Sequence, residues 1–295
     1  MEFFLQLTLN GLVVGGIYAL VALGFVIIYK SSGVLNFAQG EFLMLGAYVS
    51  LTIMTAARVP FAAAFVLTLL FSVVLGLLME RVVLRPLLGQ PIISVIMVTL
   101  GLSSVLKAVV QGIWGTDTRP FPAVFPTDPV MLGPLPVSLG YLWSLGCVAV
   151  LLVLLNLFFR KTRLGLAMRA TASSQQVALS MGISVRNIFA LAWVIAAAVS
   201  AAGGMLLGAM RGGADGSLAF YGFKVIPVVI LGGLDSITGA IAGGLVIGVL
   251  ENLSGGYLDP LVGGGVKDVA PFVALVLILM IKPHGLFGRA HARRA

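Results

Sequence analysis

Charge is what this sequence has least of. Of 295 residues, 9% are charged and 60% are apolar, and the mean hydropathy is +1.13. An ordinary soluble domain is about 25% charged and about 45–50% apolar. A soluble globular protein, a disordered chain and a collagen-like chain are therefore excluded. Cysteine is nearly absent: Cys147 stands alone inside an apolar run, so no disulfide can form within the chain. The sequence holds no GxxxxGK[ST] phosphate loop, no HExxH, no CxxC and no GxSxG, and with them go the commonest routes to ATP binding, zinc hydrolysis, thiol exchange and serine catalysis. The two histidines, His284 and His291, sit in a basic tail and read as solvated side chains. No catalytic residue, cofactor site or metal site is expected. The net charge of +8 would suggest nucleic acid in a soluble protein. No soluble segment here is long enough to offer it a basic face.

What is present is a series of apolar runs, at about 5–28, 42–57, 60–79, 91–114, 140–159, 188–210, 223–234, 237–250 and 268–281. At about 20 residues per span, they predict an all-α, polytopic transmembrane bundle. About nine crossings are expected, with eight to ten as the range, short broken helices near 223–250, and one transmembrane domain over 1–295. The opening MEFFLQLTLN carries Glu2 and no Lys or Arg, unlike the basic start of a secretory signal, so 5–28 is read as a retained first span. Residues 160–186 hold Arg160, Lys161, Arg163, Arg169 and Arg186 with no acid, and the C-terminus holds Lys282, Arg289, Arg293 and Arg294, also with none. Positive loops stay in the cytoplasm. Counting spans from there puts the 80–90 turn and the C-terminus inside, and the N-terminus and 251–267 outside.

Several stretches interrupt the apolar pattern. Residues 30–41, KSSGVLNFAQGE, are polar and uncommitted to a helix. Irregular backbone at membrane depth survives only where protein buries it or where it lines a water-filled path, which makes Asn36, Gln39 and Glu41 candidates for a translocation path. The alternative is a cytoplasmic turn with Glu41 in the next helix's first turn, where an acid suits the dipole. In 160–186, Ser173 and Gln176 have capping-box spacing and Gly182 fits the position past a helix end. A short helix over about 174–181 follows, with Val177, Ala178 and Met181 on its apolar face. It is either a coupling helix that grips a cytoplasmic motor or an interfacial helix on membrane lipid. In 223–251, two apolar pieces meet at Gly232-Gly233-Leu234-Asp235-Ser236, a broken-helix joint of the kind found in moving parts of transporters. Asp235 or Ser236 is the candidate cap of the second piece, and Pro227 the candidate kink in the first. Lys107 lies inside 91–114, where a lysine at the helix centre costs roughly 2.5–3.5 kcal/mol. Its place in the outer half favours snorkelling to the interface over a functional role. Gly11–Gly15, Gly204–Gly208, Gly239–Gly243 and Gly244–Gly248 are GxxxG pairs, which let helices approach closely. The 115–139 segment carries six prolines and reads as a stiff irregular outer loop.

Taken together, these segments resemble a known family. LNFAQGEFLMLGAYVS (35–50) is similar to the NFA-x-GE…GAY block of the LivH-type permeases of branched-chain amino acid importers. GGIYALVALGFVIIY (15–29), ERVVLRPL (80–87), RLGLAMRATASSQQVALSMGI (163–183), VILGGLDSITGAIAGGLVIGVLE (229–251) and KPHGLFGR (282–289) have counterparts in the same order. Asp235 departs from the family's glycine, and Thr238 from its proline. The resemblance implies an inner-membrane permease subunit of an ATP-binding-cassette importer. Its partners would be a LivM-type second permease, two cytoplasmic ATPase subunits and a periplasmic binding protein that delivers the solute. It also implies the coupling role for 173–181. The rivals are a same-fold permease for urea or short amides, and a self-sufficient secondary transporter. The latter should carry paired intramembrane charges, and the sequence displays only Lys107 well inside a span.

Overall fold

The first apolar run forms the longest helix, α1 (Glu2–Ser32). In the computed structural model, which describes residues 1–87, 89–125, 129–132, 135–283 and 285–288, α1 is the core of the bundle, with every residue from Gly15 to Ile28 buried. That burial follows from an apolar surface on all sides. The chain continues through α2 (Gln39–Ala56) and α3 (Phe61–Met79), then a π-helical turn (Glu80–Leu84) that runs on into α4 (Arg85–Leu87), and α5 (Ile92–Trp114). Short strands β1 (Arg119–Pro120), β2 (Pro129–Leu132) and β3 (Leu135–Ser138) precede α6 (Leu139–Lys161), α7 (Arg163–Ser173), α8 (Gln175–Ser180) and α9 (Val185–Arg211). Strand β4 (Gly213–Ala214) and a 3-10 turn (Gly216–Ala219) lead to α10 (Phe220–Gly232), α11 (Ile237–Tyr257), α12 (Asp259–Val262) and α13 (Val266–Ile281).

Each predicted apolar run is helical. Among the described residues, six helices are long and apolar enough to cross a membrane: α1, Phe61–Leu87, α5, α6, α9 and α11. The others are shorter or less apolar: α2 has 18 residues, α10 has 13 and α13 has 16. The all-α membrane bundle is thus found. One expectation needs correction: 237–250 is not a short piece, because α11 runs 21 residues, to Tyr257. The sequence pattern stops at Glu251, but that carboxylate is buried and bonded to Tyr18 and Lys224, so the helix passes through it. The 115–139 segment also differs from an irregular loop. β2 and β3 form a hairpin, and β1 pairs with β4. Two-stranded ladders leave one side of each strand unpaired, where proline is tolerated.

Glycine sets the helix spacing. α1 and α11 make the most extensive helix contact, and a Cβ added to Gly11 or Gly15 would come within 2.6 Å of the Val249 Cα or the Gly244 carbonyl. α3 meets α9 in the same way at Gly76. α1 and α9 run antiparallel, with Gly24 beside Ala196 and Gly203 beside Ile17. Both end on a left-handed glycine, Gly33 at φ 73° and Gly212 at φ 67°. After each, an Asx turn leads to a helix that starts against the other: Asn36 Oδ1 accepts the Ala38 N–H, and Asp215 Oδ1 accepts the Ser217 N–H. The starts of α2 and α10 then meet backbone to backbone at Gly40 and Gly222. α1 packs on α11 as α3 packs on α9. This has the pattern of an inverted repeat, which the sequence does not display.

Candidate functional site

At the start of α2 the structure brings the three predicted path residues together. Asn36, Gln39 and Glu41 are each 1% exposed. Asn36 Nδ2 donates to Gln39 Oε1 at 3.1 Å, and Gln39 Nε2 donates to Ser200 Oγ at 2.6 Å and to the Ala196 carbonyl at 3.2 Å. The plain solvated turn is therefore not what forms here; the turn lies within the protein. Glu41, in the first turn of α2, accepts from Ser103 Oγ at 2.7 Å, with Lys107 Nζ 3.7 Å from the same carboxylate oxygen. Lys107 Nζ also lies 5.2 Å from the centre of the Phe220 ring. The lysine stem thus reaches an acid and an aromatic face, and its side chain is 32% exposed.

The start of α10 holds a charged group that the sequence reading missed. Lys224 donates to Glu251 Oε1 and to Asp268 Oδ1, the latter at 2.7 Å, and the Tyr18 hydroxyl donates to Glu251 Oε2. The Tyr221 ring lies 5.5 Å from Lys224 Nζ and 5.9 Å from Arg211 Cζ. Two adjoining cavities, of about 540 and 550 Å³, share Arg211, Tyr221, Glu251 and Lys267. Paired charges thus exist inside the bundle where only Lys107 was expected. Lys224 and Glu251 escaped notice because each lies at the edge of an apolar run. The available signal was one base and one acid, 27 positions apart, in otherwise uncharged helices.

At the opposite end of the bundle the basic segment forms α7 and α8. The predicted cap is off by one residue: Ser174, not Ser173, accepts the Val177 N–H, at 3.3 Å, and Ser173 ends α7. A serine in extended conformation is needed there, and Ser174 has φ −159°. Gly182 takes the left-handed position expected of it, at φ 78°. Gln176, Val177 and Met181 are exposed, whereas Ala178 is buried, so the presented face is Val177–Met181 and Ala178 anchors the helix inward. A cavity of about 760 Å³ joins Lys30, Arg169, Ser173, Ser174, Gln175 and Asp235. The α10–α11 joint lies beside it. Gly232 ends α10, Gly233 has φ 101°, and Ser236, not Asp235, caps α11 by accepting the Gly239 N–H at 3.0 Å. Leu286 and Phe287 donate their N–H groups to the Leu231 and Gly232 carbonyls, which docks the chain end onto this joint. His284, His291, Arg289, Arg293 and Arg294 lie outside the described residues.

A bundle with a long, largely apolar central helix, helices that start within it, and a basic exposed end is that of a multi-pass membrane protein. The chain belongs to the family described as branched-chain amino acid transport system / permease component, whose model matches residues 7–281. It is 33% identical to the high-affinity branched-chain amino acid transport system permease protein LivH of Escherichia coli (strain K12), over 99% of this chain and 98% of that protein. It is 34% identical, with the same coverage, to the corresponding permease protein BraD of Pseudomonas aeruginosa, and 32% identical to LivH of Salmonella typhimurium.

Proposed function

We propose that this chain is the membrane-spanning permease subunit of an ATP-binding-cassette importer that moves branched-chain amino acids across the inner membrane. The family match over nearly the whole chain supports that reading. The observation that carries the mechanism is the capped α8, which presents Val177 and Met181 to solvent at the basic end of the bundle. A soluble motor subunit can grip such a helix. A LivM-type permease would complete the path, two cytoplasmic ATPase subunits would supply hydrolysis, and a periplasmic binding protein would deliver solute at the other end.

In this reading the whole chain is one transport domain. α2, α10 and α13 complete nine crossings, the N-terminus is periplasmic, and the charge bias places the C-terminus in the cytoplasm. Asn36, Gln39 and Glu41 lend polar groups to the path when the packing around α2 opens, and Gly232, Gly233, Asp235 and Ser236 form the joint that moves with α8. Nucleotide then acts by favouring one of two packings, since a ligand shifts an equilibrium only through differential affinity. The test is the double substitution Val177→Asp, Met181→Asp in the reconstituted importer. Uptake per ATP hydrolysed is expected to fall about tenfold, equivalent to about 1.4 kcal/mol of lost coupling, while the chain still inserts. An unchanged ratio rejects the coupling role.

A further inference from the structure

The cavity at the start of α10 has no part in the path residues or the coupling segment. Phe220, Phe223 and Phe272 line it together with Lys224, Asp268 and Arg211, and its volume is about 550 Å³. Ligand pockets commonly measure about 300–1,000 Å³, with mostly apolar walls and a few placed polar groups. Within the charged group, Lys224 and Glu251 satisfy one another, and the second oxygen of Glu251 takes the Tyr18 hydroxyl. Asp268 and Arg211 remain open to a guest, beside Lys267, which lines the same cavity. Asp268 engages Lys224 through Oδ1 and its side chain is 56% exposed. Arg211 is 38% exposed, donates to Ser217 Oγ at 3.3 Å, and has Asp215 at 3.9 Å; a guanidinium has five N–H donors. The acid Asp268, the bases Arg211 and Lys267 and aromatic walls thus face a single space.

We propose that this cavity is a receiving site for a zwitterionic α-amino acid. Its ammonium is taken by Asp268, its carboxylate by Arg211, and its apolar side chain by the rings of Phe220, Phe223 and Phe272. The assignment rests on the amino-acid reading above and adds where the solute is first held. The cavity lies at the end of the bundle opposite α8, where a delivered solute would enter. The mixed charge also discriminates: a neutral amide leaves the acid and the bases unmatched, and a simple anion leaves the acid unmatched.

The experiment uses the complete importer in vesicles with its binding protein, and a diazirine analogue of leucine as the probe. Photolysis is expected to label peptides containing 217–224 or 268–272, and excess leucine should suppress the label. Arg211→Gln and Asp268→Asn should each cut leucine uptake per ATP hydrolysed about tenfold, the effect of losing one charge-assisted hydrogen bond. Phe272→Trp, which fills the cavity without removing a charge, should do the same if either charge variant fails to fold. Labelling confined to other helices, or full uptake in these variants, overturns the site while leaving the importer reading in place. Failure of the unaltered assembly to take up leucine removes the importer reading and this site with it.

Discussion

The starts of α2 and α10 occupy corresponding places in the two halves of the bundle, and their surroundings are opposite. Each follows a left-handed glycine and an Asx turn, and they touch at Gly40 and Gly222. Around α2 the polar groups are closed off: Asn36, Gln39, Glu41, Ser103 and Ser200 are buried and bonded to one another or to backbone. Around α10 they open onto two cavities, through Arg211, Lys224, Glu251 and Asp268. One turn geometry has thus been used once as a tie between helices and once as the wall of a space. Helix starts inside a bundle are where backbone N–H groups lack intrahelical partners, so both places demand polar company. Whether that company comes from the protein or from a guest is what separates them.

The point common to both starts should be the most sensitive. A Cβ on Gly40 would press on the Ala219 carbonyl and the Gly222 backbone, none of which belongs to a flexible side chain. Gly40→Val is expected to destabilise the chain by at least about 4 kcal/mol, in the upper tail for single substitutions. The loss would be read as little or no monodisperse protein after solubilisation. Gly33→Ala meets nothing within 4 Å and strains only a φ of 73°, so about 1 kcal/mol is expected. Similar losses for the two would mean that the helix starts do not touch as described.

Much of the fold was legible because membrane helices advertise themselves by length and apolarity. The GxxxG pairs Gly11–Gly15 and Gly244–Gly248 turned out to face each other across α1 and α11. The left-handed Gly182 also stands where the sequence placed it, and the α11 cap, Ser236, is one of the two residues the sequence offered. What stayed hidden was pairing at long range. Glu41 finds Lys107 and Ser103, and Tyr18 finds Glu251, 233 positions away; no local pattern encodes such partners. Glu80 is a milder case: buried in the π-helical turn, it is held by Arg85 Nε at 2.9 Å. Both residues were visible in ERVVLRPL, but a regular α-helical spacing does not suggest that they meet.

Removing the base beside each helix start tests whether the two environments differ in kind. Lys224→Met leaves Glu251 and Asp268 without their shared cation, and the Lys224 and Glu251 side chains are largely buried. A loss of about 2–4 kcal/mol is expected, since breaking a buried pair strands the remaining charge. Lys107→Met leaves Glu41 with the Ser103 hydroxyl. Because Lys107 is partly exposed and stands 3.7 Å away, its attraction to Glu41 is weak, and Glu41 keeps its Ser103 bond, so about 1–2 kcal/mol is expected. Unfolding in mixed detergent–SDS micelles would give both values. The reverse order would mean that the dry side, rather than the cavity side, depends on its ion pair.

The smallest difference is the most specific, because it compares one and the same turn bond in both halves. Asn36→Ala removes an acceptor from a buried N–H of Ala38 and a donor from Gln39, and water cannot readily take their place. A buried group left unsatisfied costs about 1–3 kcal/mol, so a loss near 2 kcal/mol is expected. Asp215→Ala removes the equivalent acceptor from Ser217, but that N–H belongs to an exposed residue at the rim of the cavity. Water can replace the carboxylate there, so the loss should stay within about 0.5–1 kcal/mol, the low end of cap substitutions. Equal losses would show that the α10 start is as closed to water as the α2 start. The contrast between a sealed tie and an open site would then fall.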